Sequence, residues 1–99
     1  GITAPERVGD APEVPTLKEQ GYNVQFVNWR GFFAPKSMSG GDVKKIAKML
    51  GDVQKTSEWE TVRKRNAWVN IYNPGSKFDS FLKKQTKEMT KLMKELGVI

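Results

Sequence analysis

One apolar run, at residues 24–35, constrains the fold more than any other part of the chain. It reads Val-Gln-Phe-Val-Asn-Trp-Arg-Gly-Phe-Phe-Ala-Pro and is rich in β-branched and aromatic residues. Gly21 precedes the run and Pro35 ends it. Because such residues between turn formers favour a buried β-strand, we predict a strand here, with the other elements arranged around it.

The side chains of this run alternate between two faces only if a bulge near Phe26 and Val27 restores the period of two. One face then carries Val27, Trp29, Gly31 and Phe33, and the other carries Asn28, Arg30, Phe32 and Ala34. The first face has the composition of a core. The second is polar at its start and apolar at its end, so two interpretations remain open: a strand that passes from one environment into another, or an ordinary strand whose first half is exposed.

The rest of the chain predicts helices and one more strand. The residues from Thr16 to Glu19 form a capping box, which predicts a helix of barely more than one turn ending at Gly21. Apolar residues at helical spacing predict helices at residues 42–55, 57–65 and 77–96. Residues 67–72 alternate as a short strand. The predicted fold class is therefore α/β, with two main strands and three to four helices.

Composition excludes several kinds of chemistry. The chain contains no cysteine and no histidine, which removes disulfides, thiolate metal sites and the commonest general base. No pair of carboxylates is predicted to converge, and no glycine-rich phosphate loop occurs. We therefore expect no catalytic residue, no metal site, no cofactor and no enzymatic activity.

The net charge of +6 is unevenly distributed. Residues 1–41 carry four basic and four acidic groups, whereas residues 42–99 carry thirteen basic and seven acidic groups. A basic helical region can bind nucleic acid, but here lysines and acids alternate at helical spacing, as on a solvated helix face. No recognised nucleic-acid-binding motif is present, so we expect no nucleic-acid partner. A helix lying on a membrane surface is a further alternative for residues 77–96.

An ordered set of landmarks carries a resemblance to a known family. Glu6-Arg7 is followed by Pro-Glu-Val-Pro-Thr-Leu-Lys-Glu-Gln-Gly-Tyr at residues 12–22, and then by Trp-Arg-Gly-Phe-Phe-Ala-Pro at residues 29–35. This order resembles the C-terminal third of the extracytoplasmic solute-binding receptors of tripartite tricarboxylate transporters, the Bug family. The resemblance covers almost the whole chain.

The resemblance implies a fragment of a two-domain periplasmic binding protein of type II-like architecture. Residues 1–26 would be the tail of the second domain, residues 27–35 an interdomain hinge strand, and residues 36–99 the C-terminal completion of the first domain. The family captures small carboxylates in a cleft between two α/β domains and delivers them to membrane permease subunits. The implied location is periplasmic, and the fragment alone is not expected to bind a solute.

The resemblance also suggests roles for individual residues. Asn28 and Arg30 are the candidate ligand-binding residues, because an arginine can pair with a carboxylate; the alternative is a solvated strand edge. Arg30 departs from the family, which more often has an uncharged residue there. The candidate hinge or structural residues are Thr16, Trp29, Gly31 and Pro35, with Thr16 interpreted as a helix N-cap.

Two further hypotheses follow from these expectations. An isolated fragment would expose sheet edges and apolar surface, so it would self-associate or exchange residues 24–35 between copies. The alternative function, from a different class, is a small basic interaction module that binds nucleic acid or an acidic protein partner.

Overall fold

The computed structural model describes all 99 residues and contains three α-helices. Helix α1 spans Gly40–Val53, α2 spans Ser57–Arg65 and α3 spans Ser76–Glu95. The chain forms two compact units, Gly1–Lys36 and Ser37–Ile99, and all three helices belong to the second. None of these helices is both long and apolar enough to cross a lipid bilayer.

Residues next to the helix ends cap α1 and α2 and terminate α3. The Ser39 side chain caps α1 by accepting from the backbone N–H of Asp42 at 3.2 Å. Thr56, one residue before the predicted start, caps α2 by accepting from Trp59 N–H at 3.2 Å. No side chain caps α3, but Gly97 terminates it with a φ of 72°, which a glycine adopts without strain.

The predicted α/β fold is wrong, because the chain has no β-strand. The only β-type pairing is an isolated parallel bridge between Ile2 and Thr16. Residues 24–35 have no regular secondary structure, and no neighbouring strand accepts their backbone hydrogen bonds. A strand exists only as one member of a ladder, so the apolar run alone is not sufficient to form one, and residues 27–35 are not a hinge strand.

The second predicted strand, residues 67–72, is also wrong. Ala67 has a φ of 54°, in the left-handed region, so the chain turns where the strand was expected to begin. The N–H groups of Ala67 and Trp68 bond back to the carbonyls of Lys64 and Arg63 at 3.0 Å each. This bonding ends α2, and a connecting segment without regular secondary structure (residues 67–74) then leads to α3.

Neither unit contains a fully buried hydrophobic side chain. The only buried residues are Thr16, in the first unit, and Gly51, in the second. The apolar side chains of α2 and of the first half of α3 are half-buried, namely Trp59, Val62, Phe78, Phe81 and Leu82. Much of the apolar surface that the sequence supplies is therefore uncovered in this chain.

Candidate interaction segment

The first unit is built around a polar turn at Thr16–Glu19. Both hydrogen bonds of the predicted capping box are present. The Thr16 hydroxyl accepts from Glu19 N–H at 3.1 Å, and the Glu19 carboxylate accepts from Thr16 N–H at 2.7 Å. The turn does not extend into an α-helix, because Gly21, with a φ of 89°, ends it after one turn.

Arg7 joins this turn from the proline-rich loop. Its Nε and Nη2 groups donate to the two oxygens of Glu19 at 2.9–3.0 Å, and its Nη1 donates to the Pro12 carbonyl at 3.1 Å. One guanidinium therefore holds both the loop and the turn. The fork geometry of arginine makes such bidentate contacts specific, so Arg7, Pro12, Thr16 and Glu19 form one connected cluster, which we call the Arg7 cluster.

The hydrogen bonds from Arg7, followed by the backbone N–H of Thr16, lower the pKa of Glu19 to about 2. The hydrogen bond and charge of Glu19 in turn raise the pKa of Arg7. Both side chains keep nearly half of their surface exposed, at 44% and 45%. Solvent therefore screens the pair, and its main effect is on geometry and protonation.

Backbone pairing completes this part of the first unit. Ile2 N–H donates to the Pro15 carbonyl at 3.0 Å, and Leu17 N–H donates to the Ile2 carbonyl at 2.8 Å. Thr16 lies between these two bonds and is 2% exposed. Its hydroxyl is thus enclosed by the turn that it caps, which agrees with its interpretation as an N-cap.

The aromatic segment (residues 22–35) leaves this turn and is exposed throughout. Backbone hydrogen bonds hold its first residues: Tyr22 N–H donates to the Leu17 carbonyl at 2.9 Å, Val24 N–H to the Tyr22 carbonyl at 2.8 Å and Phe26 N–H to the Thr3 carbonyl at 2.9 Å. Its large side chains keep much of their surface in contact with solvent, with Phe32 78% and Phe33 68% exposed. The segment therefore presents a row of apolar and aromatic side chains: Tyr22, Val24, Phe26, Val27, Phe32 and Phe33.

All the predicted ligand-binding and hinge residues between positions 28 and 35 lie on this exposed segment. Asn28 and Arg30, the predicted ligand residues, are exposed, as are Gly31 and Pro35. Trp29 keeps 36% of its surface exposed. Thr16 lies apart from them in sequence, in the Arg7 cluster.

The segment has the chemistry of a protein interface. Tyrosine, tryptophan, phenylalanine and arginine are the residues enriched at the energetic centres of such interfaces, and all four types occur between Tyr22 and Phe33. Small-molecule sites, in contrast, are concave and bury most of their ligand. On its own, this exposed segment is suited to contact a large surface.

A shallow groove of about 390 Å³ runs along α1. Its lining combines apolar and charged side chains, namely Lys45, Lys48, Met49, Asp52, Val53 and Thr56. Lys48 donates to Asp52 at 2.8 Å, which raises the pKa of Lys48 and lowers that of Asp52. With one of its two lysines already paired, the groove has little capacity to hold a small carboxylate.

Sequence reasoning missed the contacts that fasten the connecting segment. Trp59 Nε1 donates to Asn70 Oδ1 at 3.0 Å, and Asn70 Nδ2 donates to Gln54 at 2.8 Å. The Tyr72 hydroxyl donates to the Ala47 carbonyl at 2.5 Å. A Cβ atom on Gly51 would come within 2.8 Å of that hydroxyl, so this glycine leaves room for the Tyr72 ring.

Comparison of the chain with protein-family models, curated proteins and solved structures finds no match. The functional assignment therefore depends on the residues themselves and on the resemblance that they carry.

Proposed function

We propose that this chain is part of an extracytoplasmic receptor that captures a small carboxylate for a tripartite tricarboxylate-type transporter. The proposal depends on the ordered landmarks at residues 6–35 and their resemblance to the Bug family. In this role the chain binds rather than catalyses, is located in the periplasm, and has the carboxylate and the permease subunits as its partners.

The observation that carries the proposal is the Arg7 cluster. Arg7, Pro12, Thr16 and Glu19 are all among the residues that carry the resemblance, and hydrogen bonds of 2.7–3.1 Å connect them into one element. A run of landmarks that folds into one connected element supports the interpretation of these residues as a structural motif, and argues against a chance match.

The exposed apolar surface also supports a role within a larger assembly. No hydrophobic side chain is fully buried, and Phe32 and Ile71 are each 78% exposed. Large contiguous apolar surface on a soluble protein marks an interface. In a receptor, the remaining domains would cover this surface, and the 99-residue chain alone would not bind solute.

Calorimetry tests the proposal on a receptor that contains this chain as its C-terminal part. Succinate, citrate and terephthalate are titrated into the receptor, with glucose and choline as controls. We expect saturable binding of at least one carboxylate and none of the controls. A receptor that binds the sugar or the cation, and no carboxylate, would contradict the proposal.

Arg30→Ala in the same receptor tests the role of Arg30. If its guanidinium pairs with the carboxylate, we expect affinity to fall on the order of tenfold to a hundredfold, since a charge-assisted hydrogen bond is lost. Lys36→Ala removes the same charge six residues later and is the matched control. Unchanged affinity in Arg30→Ala would remove Arg30 from the site.

One observation favours the alternative of a basic interaction module. Six cations of the helical unit form ion pairs within 4 Å, and seven do not: Lys44, Lys45, Lys55, Arg65, Lys77, Lys87 and Lys94. Titration of the 99-residue chain with generic duplex DNA separates the two functions. Binding that weakens steeply with salt supports the module, and the receptor proposal predicts no such binding.

A further inference from the structure

Helix α3 carries an apolar seam with the spacing of a coiled coil. From Phe78 to Leu96 the seam residues follow one another at alternating intervals of four and three, as Phe78, Leu82, Gln85, Met89, Leu92 and Leu96. This is the a/d pattern of a heptad repeat. Leu82, Met89 and Leu96 occupy a positions, and Phe78, Gln85 and Leu92 occupy d positions.

The second half of this seam is uncovered. Phe78 and Leu82 are half-buried, but Met89 is 37%, Leu92 46% and Leu96 67% exposed. Met93, at the adjacent e position, is 38% exposed and widens the apolar face. Gln85 is also half-buried, so the uncovered part of the seam is residues 89–96, about one heptad, or about 12 Å at 1.5 Å per residue.

The charges on α3 are sorted by heptad position. All six lysines lie at b, c or f, on the outer face, whereas the three acids lie at e or g, beside the seam: Asp79, Glu88 and Glu95. Lys84 and Lys91, on the same helix, already lie 3.9 Å and 3.7 Å from Glu88 and Glu95. The flanking acids near the exposed seam are thus compensated within α3 and do not require a basic partner.

One arrangement of two identical helices fits this pattern. In a parallel pair, g residues approach e residues five positions later on the partner, so Glu88 meets Met93 and Phe81 meets Thr86. No like charges face each other. An antiparallel pair instead brings g against g, and thus Glu88 and Glu95 of the two copies together. Gln85, a polar d residue, meets its own counterpart only when the two helices are in register.

We propose that two copies of this chain associate through α3, parallel and in register, along the seam from Gln85 to Leu96. In the single chain Gln85 Nε2 donates weakly to Glu88 Oε2 at 3.5 Å. In the pair, the two Gln85 side chains exchange this contact for hydrogen bonds to each other and select the register, as buried polar residues do in coiled coils. This interface is distinct from the exchange of residues 24–35 expected from the sequence, and it does not require the receptor function.

Analytical ultracentrifugation of the 99-residue chain tests the association. We expect the mass to rise from 11.2 kDa towards twice that value as the concentration increases. Each copy carries a net charge of +6, so added salt should strengthen the dimer by screening repulsion. A monomer at every concentration and salt condition would overturn the proposal.

Two variants locate the interface. Leu92→Gln removes an apolar d side chain from each copy, and we expect the dissociation constant to rise on the order of a hundredfold. Lys94→Gln, on the outer face, introduces the same residue and should leave dimerisation at least as strong. Circular dichroism checks that both variants keep their helix. A dimer that Leu92→Gln leaves intact, or that Phe32→Gln disrupts instead, contradicts the α3 interface.

Orientation is tested with a single cysteine, since the chain has none of its own. Leu96→Cys places two thiols side by side in a parallel, in-register pair and far apart in an antiparallel pair. We expect mild oxidation to cross-link most of the dimer. A dimer that does not cross-link through Cys at this position would overturn the parallel arrangement.

Discussion

The aromatic segment and the connecting segment each contain a stretch that the sequence predicts as a strand, and neither has regular secondary structure. They differ in what holds them. The aromatic segment is exposed along its whole length, and backbone hydrogen bonds hold its first residues. The connecting segment is fastened through Trp68, Asn70 and Tyr72. They bond to side chains of α2, to the Gln54 side chain just after α1, and to the Ala47 carbonyl of α1. Where no strand is available for pairing, side-chain hydrogen bonds can hold such a segment, provided that helices lie close enough to supply them.

The contacts that fasten the connecting segment explain why this part of the chain needs no ladder. Arg63 Nη1 donates to the Trp68 carbonyl at 3.0 Å, while Nη2 and Nε of Arg63 bond to Glu60. These bonds from Arg63, together with that from Lys64, lower the pKa of Glu60. The Trp59 and Trp68 rings also lie 6.3 Å apart. The aromatic segment keeps its large side chains exposed, with Phe32 78% and Phe33 68% exposed, which makes it the better candidate for an external partner.

The largest expected difference between the two segments comes from Tyr72. Tyr72→Ala removes the ring over Gly51 and the bond to the Ala47 carbonyl, so we expect the connecting segment to lose about 2 kcal/mol of local stability. Phe32→Ala, on the aromatic segment, should cost less than about 0.5 kcal/mol because this exposed side chain covers little. Amide hydrogen exchange measures both. Equal losses would show that the two segments are held alike.

Gly51→Ala provides a control for the same contact. Alanine favours a helix over glycine by about 1 kcal/mol, but its Cβ would press on the Tyr72 hydroxyl at 2.8 Å. In the Tyr72→Ala background we expect the full stabilisation of α1. With Tyr72 present, this stabilisation should be absent because the Tyr72 ring must move to make room for the new Cβ atom. Equal gains in the two backgrounds would contradict the packing of Tyr72 on Gly51.

Thr16→Ala tests how far the turn at Thr16–Glu19 stabilises the aromatic segment. The buried hydroxyl of Thr16 caps the turn that precedes the aromatic segment, and its loss should cost about 1.5 kcal/mol. Amide exchange should increase in residues 16–22 and change less in residues 27–35, which lie farther along the chain from the turn. Thr16→Ser keeps the hydroxyl and is the control. Increased exchange along the whole of residues 22–35 would show that the turn stabilises the entire aromatic segment and not only its first residues.

Ala67→Gly tests the turn that opens the connecting segment. Ala67 adopts a φ of 54°, which costs a non-glycine residue about 1 kcal/mol, so glycine should stabilise the end of α2 by about that amount. The same substitution at Ala47, inside α1, should destabilise by about 1 kcal/mol. Thermal unfolding followed by circular dichroism measures both changes in stability. If the two substitutions changed stability in the same direction, the left-handed turn at Ala67 would be contradicted.

The smallest effect concerns protonation at the Arg7 cluster. The folded-state pKa of Glu19, about 2, lies below the unfolded value of about 4.3. Its contribution to stability is therefore fully present above about pH 4.3 and is lost as the pH falls through about 2. NMR titration of the Glu19 side chain measures this pKa. Arg7→Ala should raise it towards the ordinary range, and an unchanged pKa would contradict the pairing.

Local signals in the sequence were sufficient to place the three helices to within about two residues, whereas the short helix predicted at Thr16 is a single turn. Residues such as Ser39, Thr16 and Gly97 act on backbone groups within a few positions, so their effects can be read directly from their order. The heptad spacing of α3 is visible in the same way. The pairing of Arg7 with Glu19 could not be predicted, because the two residues are separated by a loop whose path is not encoded locally.

The amino-acid sequence was sufficient to predict the positions of the three helices and the turn at Thr16–Glu19. It also showed the excess of positive charge in the helical unit and the surplus of apolar residues. The tertiary structure was needed to show that residues 24–35 and 67–72 are not strands. It also showed that side-chain hydrogen bonds hold residues 67–72 and that α3 leaves half of its seam uncovered. The physical reason is that apolar alternation expresses a preference for burial, whereas a strand requires a partner whose backbone lies alongside. In this chain no such partner is present, and the apolar surface remains open to contact.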